Sequence, residues 1–218
     1  GILFHGPPGC GKTFIARKLA DHMDFHFVEI KPSDLASIYV HGGQQLIGKM
    51  FKSARENAPS ILFIDELDAL APSRDGFDVG HHYQAEVNEL LVQLNECSKK
   101  GILVIGATNF LSNIDKAVQR PGRLDKKIFI GPPDFEARNE LLHIFLKDRP
   151  LGKIDWIKLA EETEIYTCAE IEELVNEAAR IALATRRNIE TQDIIEAKRV
   201  VTPSLTEEEV ERMRCPLH

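Results

Sequence analysis

The sequence predicts an α/β domain built on a parallel sheet, followed by a smaller all-helical domain. Three observations carry that reading. From Ile2 to Ile130 short apolar runs alternate with helix-patterned stretches, the signature of β-α-β units. Several of those runs are apolar without interruption, as strands covered on both faces should be. After Gly131-Pro132-Pro133-Asp134 no strand pattern recurs; prolines stop regular structure there and Asp134 is a good helix N-cap.

Element by element, strands are expected at Ile2–His5, His26–Ile30, Ile61–Asp65, Ile102–Ala107 and Lys127–Ile130. Helical spacing lies between them at Lys12–His22, Gln44–Asn57, Gln84–Asn95 and Asp115–Gln119. Beyond the break, helices are expected at Glu136–Lys147, Asp155–Glu162, Ala169–Thr185 and Thr191–Val200. A last one, Ser204 to Arg214, opens on Ser-Leu-Thr-Glu-Glu-Glu, which resembles a capping box. The expected domains are therefore residues 1–132 and 133–218. Because the chain opens at Gly1-Ile2-Leu3-Phe4, inside a strand pattern and without Met, the first domain is expected to be incomplete at its start.

Bulk properties narrow the function classes. The 218 residues are 43% hydrophobic and 28% charged, as in an ordinary globular protein. A formal net charge of -7 argues against an electrostatic grip on nucleic acid, which needs a cationic surface to release counterions. Cys10, Cys97, Cys168 and Cys215 are scattered and form no CxxC pair, so zinc and disulfide frameworks are not expected. A reducing, cytoplasmic setting is the expectation. No apolar run reaches the ~20 residues of a membrane helix.

Gly6-Pro7-Pro8-Gly9-Cys10-Gly11-Lys12-Thr13 fits G-x-x-x-x-G-K-[ST] between an expected strand and an expected helix. Glycines there let backbone N–H groups curl around phosphate, and the helix N-terminus adds partial positive charge. The cradle is assigned to Pro8, Gly9, Cys10, Gly11, Lys12, Thr13 and Phe14, with ATP or ADP as ligand. Lys12 would reach the β- and γ-phosphates and the Thr13 hydroxyl would ligate Mg²⁺.

Ile61-Leu62-Phe63-Ile64-Asp65-Glu66 is the natural partner, because an apolar strand tolerates charges only where it emerges at a site. Asp65 is assigned to Mg²⁺ and Glu66 to the attacking water as general base. Gly106-Ala107-Thr108-Asn109 ends another apolar strand. Ligands of doubly wound sheets bind at the strands' carboxyl ends, so Asn109 either sits beside the phosphates or serves only the turn.

Asn113 to Asp125, containing Arg120-Pro121-Gly122-Arg123, makes the pattern specific. The order of motifs resembles AAA ATPases in the narrow sense, of the valosin-containing-protein type, over essentially the whole chain. That resemblance implies a P-loop NTPase domain followed by a helical lid domain, a hexameric ring, and ATP bound between subunits. Arg120 and Arg123 match the positions of that family's arginine fingers, which act on the neighbouring subunit's site; Arg123 is the preferred finger, and one of the two, Arg120 before Arg123, could instead make only a salt bridge across the interface. Asn109 then positions water.

Ile38-Tyr39-Val40-His41 aligns with the family's first pore loop, where Tyr39 would grip a protein substrate; the alternative is a core tyrosine. His41, Gly42 and Gly43 depart from the family pattern. A second loop is expected at Asp75–Gln84, carrying His81-His82-Tyr83, and an arginine usual near Ala85 is absent. Thr167-Cys168-Ala169 resembles the lid turn beside adenine, with Cys168 in place of glycine and Ala169 against the base. Phe145 replaces the family's lid histidine.

The implied function is Mg²⁺-dependent ATP hydrolysis at subunit interfaces, coupled to protein unfolding or remodelling. The alternative is an assembly module that oligomerises on ATP and hydrolyses it weakly. A DNA-remodelling ATPase is disfavoured by charge and by the Tyr39 loop. A membrane-anchored AAA protease has a similar motor, but no H-E-x-x-H occurs here.

Overall fold

A computed structural model describes residues 1–31, 43–73, 81–97 and 100–215, with only the backbone at 43 and 81–85. Two compact units divide it. Of the described residues, the first holds those within Gly1–Gly6 and Lys12–Ile130; the second holds Pro7–Gly11 and 131–215.

In the first unit the order is β1 (Ile2–His5), α1 (Lys12–Met23), β2 (His26–Ile30), α2 (Gly43–Glu56) and β3 (Ser60–Ile64). There follow α3 (Leu67–Leu70), α4 (His81–Cys97), β4 (Ile102–Thr108) and β5 (Lys126–Phe129). The strands form one sheet in the order β2-β3-β4-β1-β5, with every pair parallel. In register, Phe4 of β1 lies opposite Ala107 on one side and Ile128 on the other.

Side-chain alternation explains why β3 reads as a continuous apolar run. Leu62 and Ile64 enter one core with Ile47 and Phe51 of α2 and Leu90 and Leu94 of α4. Ile61 and Phe63 enter another with Ala16 and Ala20 of α1. Both faces of the strand are therefore covered, as in other parallel sheets. β5, at one edge, keeps Lys126, Lys127 and Ile128 exposed.

Two features of this unit depart from the sequence expectation. Asp115–Gln119 forms no helix. The Asp115 carboxylate accepts from the Ala117 amide at 2.8 Å and Val118 N–H bonds the Asp115 carbonyl at 3.0 Å, which closes a turn. Leu124 N–H then bonds the Val118 carbonyl at 3.1 Å, so the chain doubles back. Conversely, the single turn α3 was not expected: Leu67 and Leu70 are buried, and four residues are too few for a helical period to show.

The second unit contains α5 (Phe135–Leu146), α6 (Trp156–Glu162), α7 (Cys168–Ala184), α8 (Thr191–Ala197) and α9 (Glu207–Arg214). Asp134 caps α5, its carboxylate accepting from the Ala137 amide at 2.9 Å. Thr167 and Glu170 form a capping box at α7, and Thr206 and Glu209 form another at α9. The apolar stripe Ile171, Leu174, Val175 and Ala178 of α7 is buried with Leu142, Leu146, Leu159 and Ile194.

Candidate nucleotide-binding site

Strand ends bring the polar residues of the first unit together. β1 leads into the glycine-rich segment and α1 begins at Lys12, whose side chain is buried. A buried ammonium must be hydrogen-bonded. Lys12 Nζ donates to the Gly6 carbonyl at 2.8 Å and to Asn109 Oδ1 at 2.7 Å. Asn109 follows the last residue of β4, so the amide sits at a strand end and engages the lysine. One residue along α1, Thr13 Oγ1 donates to Asp65 Oδ2 at 3.0 Å. Asp65 stands one residue beyond β3, and its other oxygen accepts from the Glu66 amide at 2.9 Å.

Glu66 has a left-handed backbone, φ 45° and ψ 48°, and an exposed side chain that makes no capping bond. Such a conformation costs a non-glycine residue about 1–3 kcal/mol and persists only where its surroundings impose it. Here β3 delivers the chain in extended form and α3 starts at once, with Ala69 N–H bonding the Glu66 carbonyl at 2.9 Å.

Gly9 and Gly11 have φ of +75° and +86°, a region costly for any side chain bearing Cβ. Inside the second unit, with which Pro7–Gly11 is grouped, the Ala169 amide donates to the Gly9 carbonyl at 3.1 Å. A Cβ on Gly9 would stand 3.1 Å from both Ala169 Cβ and Thr167 Oγ1. Cys10 is buried, Pro8 and Phe14 are exposed, and burial raises the Cys168 thiol above its ordinary pKa.

These residues suit the expected ligand chemistry. The Thr13 hydroxyl and Asp65 carboxylate are hard oxygen donors already in contact, the donor type that Mg²⁺ prefers. The Lys12 ammonium lies at the start of α1, where an anion is favoured.

Arg123 is half-buried; its Nε donates to Asn95 Oδ1 at 2.9 Å and one terminal nitrogen to the Ala117 carbonyl at 2.6 Å. Arg120 is exposed. Phe145 is partly buried against the core of the helical unit. Tyr39, His41 and Gly42 fall outside the described residues. α4 begins at His81, so His81-His82-Tyr83 belong to its first turn and not to the loop expected there.

Sequence reading overlooked two residues at this site. Thr108 is buried; its hydroxyl donates to Asp68 Oδ1 at 2.6 Å and accepts from the Phe110 amide at 2.9 Å. The one available hint was an acid placed one helical turn after Asp65.

A five-stranded parallel sheet with a glycine-rich turn after β1, and Lys, Thr, Asp and Asn converging at strand ends, defines a P-loop nucleotide-binding domain. Residues 2–132 match the family model for the ATPase family associated with various cellular activities (AAA), and residues 153–197 match that for the AAA+ lid domain. The chain belongs to the AAA family of ATPases. It is 38% identical to a Cell division cycle protein 48 homolog from Archaeoglobus fulgidus, over 97% of this chain and 31% of that protein. It is 40% identical to Cell division control protein 48 homolog B of Arabidopsis thaliana, over 97% of this chain and 36% of that one. It is also 42% identical to ATP-dependent zinc metalloprotease FtsH 1 of Petrotoga mobilis, over 93% of this chain and 32% of that protein. The chain thus spans about a third of the length of these relatives. Among the described residues no helix is long and apolar enough to cross a membrane.

Proposed function

We propose that this chain hydrolyses ATP at the interfaces of a ring, six subunits by family resemblance, and uses the cycle to unfold or remodel proteins. The observation that carries the proposal is the pairing of Lys12 with Asn109 and of Thr13 with Asp65, which joins three separate strand ends into one polar cluster. Lys12 and the loop from Pro8 to Thr13, extended by Phe14, bind the phosphates. Ala169 lies against the base. Mg²⁺, held through Thr13 and Asp65, would neutralise charge on the phosphate oxygens. Glu66 takes the proton of the attacking water as its oxygen bonds to the γ-phosphorus, and ADP leaves. Asn109, fixed by Lys12, orients that water.

Of the two arginines Arg120 is the better finger, the reverse of the preference for Arg123 drawn from sequence. It is exposed, whereas the Arg123 guanidinium is tied to Asn95 and Ala117 and steadies the loop that presents Arg120. A finger supplied in trans is worth ~10³–10⁵ in rate in GTPases. Tyr39 would grip the protein substrate.

The test is ATP turnover per subunit against protein concentration, with Mg²⁺ present. A specific rate that climbs with concentration and is lost in Arg120→Ala supports a site completed between subunits. A flat rate with a monomeric sizing profile refutes that completion. Absent turnover with ATP-driven assembly would make the chain a binding module.

A further inference from the structure

We infer that Asp68 is a positioning residue that ties the segment carrying Asp65 and Glu66 to the one carrying Asn109. The inference rests on the ATPase reading above, and it adds a residue to which nothing so far gives a role in the reaction.

The geometry is short-range and closed. Asp68 lies in α3, which starts directly after the left-handed Glu66. Leu67 and Leu70 of that turn are buried, so the helix cannot roll without exposing them. It is pressed against β4: a Cβ on Gly106 would come within 2.8 Å of Leu67 Cδ2 and 2.9 Å of Leu124 Cδ1, so a larger residue there would make these leucines shift. Two residues further along β4, the buried Thr108 hydroxyl gives its only proton to Asp68 Oδ1 at 2.6 Å. Its lone pair then receives the Phe110 amide at 2.9 Å. A hydroxyl used as donor and acceptor at once has no freedom to rotate. Asn109 is thereby clamped through both neighbours in sequence, Thr108 and Phe110, while its own Oδ1 accepts a hydrogen bond from Lys12 Nζ at 2.7 Å.

Two residues that must act on one water therefore hang from opposite ends of the same link. Glu66 sets the proton acceptor and Asn109 sets the orientation. A shift of about 1 Å between such groups can cost a hundredfold in rate. The carboxylate is also the stronger acceptor for that hydroxyl, because charge-assisted hydrogen bonds are shorter and roughly twice as strong as neutral ones. Asp68 itself touches no reacting atom.

The experiment compares Asp68→Ala, Asp68→Asn, Thr108→Val, Thr108→Ser and the Asp68→Ala/Thr108→Val double variant. Turnover, the affinity for a fluorescent ADP analogue and the Asn109 side-chain amide signal in NMR are measured for each. Expected is a fall in kcat of about tenfold to a hundredfold for Asp68→Ala and Thr108→Val, with ADP affinity within about threefold of wild type. The double variant should be no slower than the worse single one, since both remove the same link. Thr108→Ser keeps the hydroxyl and should restore most of the rate, and Asp68→Asn should fall between. Additive losses, or an unchanged kcat in folded Asp68→Ala, would overturn the inference. If Asp68→Ala or Thr108→Val does not fold, Asp68→Asn and Thr108→Ser decide: a shifted Asn109 signal in the first and an unshifted one in the second support the link, and any other pattern refutes it. If wild type shows no turnover, the ATPase reading fails by itself, and the same two Asn109 signals still decide whether the link exists.

Discussion

The helix starts of the helical unit and the strand ends of the sheet unit satisfy their polar groups in opposite ways. At the helix starts the bonds are local: Thr167 with Glu170, Thr206 with Glu209, and Glu190 with Asp193 are each three residues apart, while other side chains of that unit reach further, as Arg149 does to Asn176. In the sheet unit the decisive bonds are distant in sequence. Lys12 meets Asn109, Thr13 meets Asp65, and Asp68 meets Thr108. A local polar pair can be assembled as soon as its own helix forms, so it specifies where structure begins. A distant pair forms only when several strands are in register, and it leaves charged groups gathered at one end of a sheet. The first pattern marks where helices begin; the second marks a candidate site only where it gathers charged groups at strand ends, and packing where it does not, as at Arg149 and Asn176.

The largest test of that contrast is Glu66→Gln. It should leave ATP binding intact and lower kcat by about 10²–10⁴-fold, measured by single-turnover hydrolysis beside nucleotide titration. Retained turnover would remove Glu66 as the base and leave its left-handed backbone to the passage from β3 into α3 alone.

In the helical unit the largest effect should come from packing. Leu174 is fully buried in α7, so Leu174→Ala is expected to cost about 2–5 kcal/mol in chemical denaturation. A loss under about 1 kcal/mol would mean that the core collapses readily around the gap and that the capping boxes carry more of the stability than the stripe does.

The smallest expected effect is a pH dependence. Two hydrogen bonds from the Arg187 guanidinium hold the buried Asp193 carboxyl below its ordinary pKa, and the Glu190 amide adds a third. A carboxyl depressed in the folded state stabilises fully above its unfolded pKa of about 3.9 and stops doing so as pH falls through the lower, folded value. Between about pH 5 and pH 2, wild type should therefore lose more stability than Asp193→Asn. Equal losses would show that the ion pair is decoupled from folding.

Much of this was legible in the chain. All five strands lie within a residue of their expected limits, because buried parallel strands read as apolar runs bounded by polar residues. Most of the helices follow from apolar spacing, and the start of α5 from Asp134. The glycine-rich motif and Asp65-Glu66 could be read because glycine and charge are conspicuous beside apolar strands. Asp115–Gln119 misled, since an Asp side chain bonding the backbone two residues ahead makes a turn out of residues whose spacing suits a helix.

Sequence by itself determined where strands, helix caps and the glycine-rich turn would fall, for these follow from the period of apolar residues and from backbone preferences a few residues long. Only the tertiary structure decided that Lys12 meets Asn109, that Arg123 is held while Arg120 is exposed, and that Asp68 reaches Thr108. Those pairings depend on strand order, β4 lying between β1 and β3, and on register along the sheet. No local property of the chain encodes which strand becomes whose neighbour.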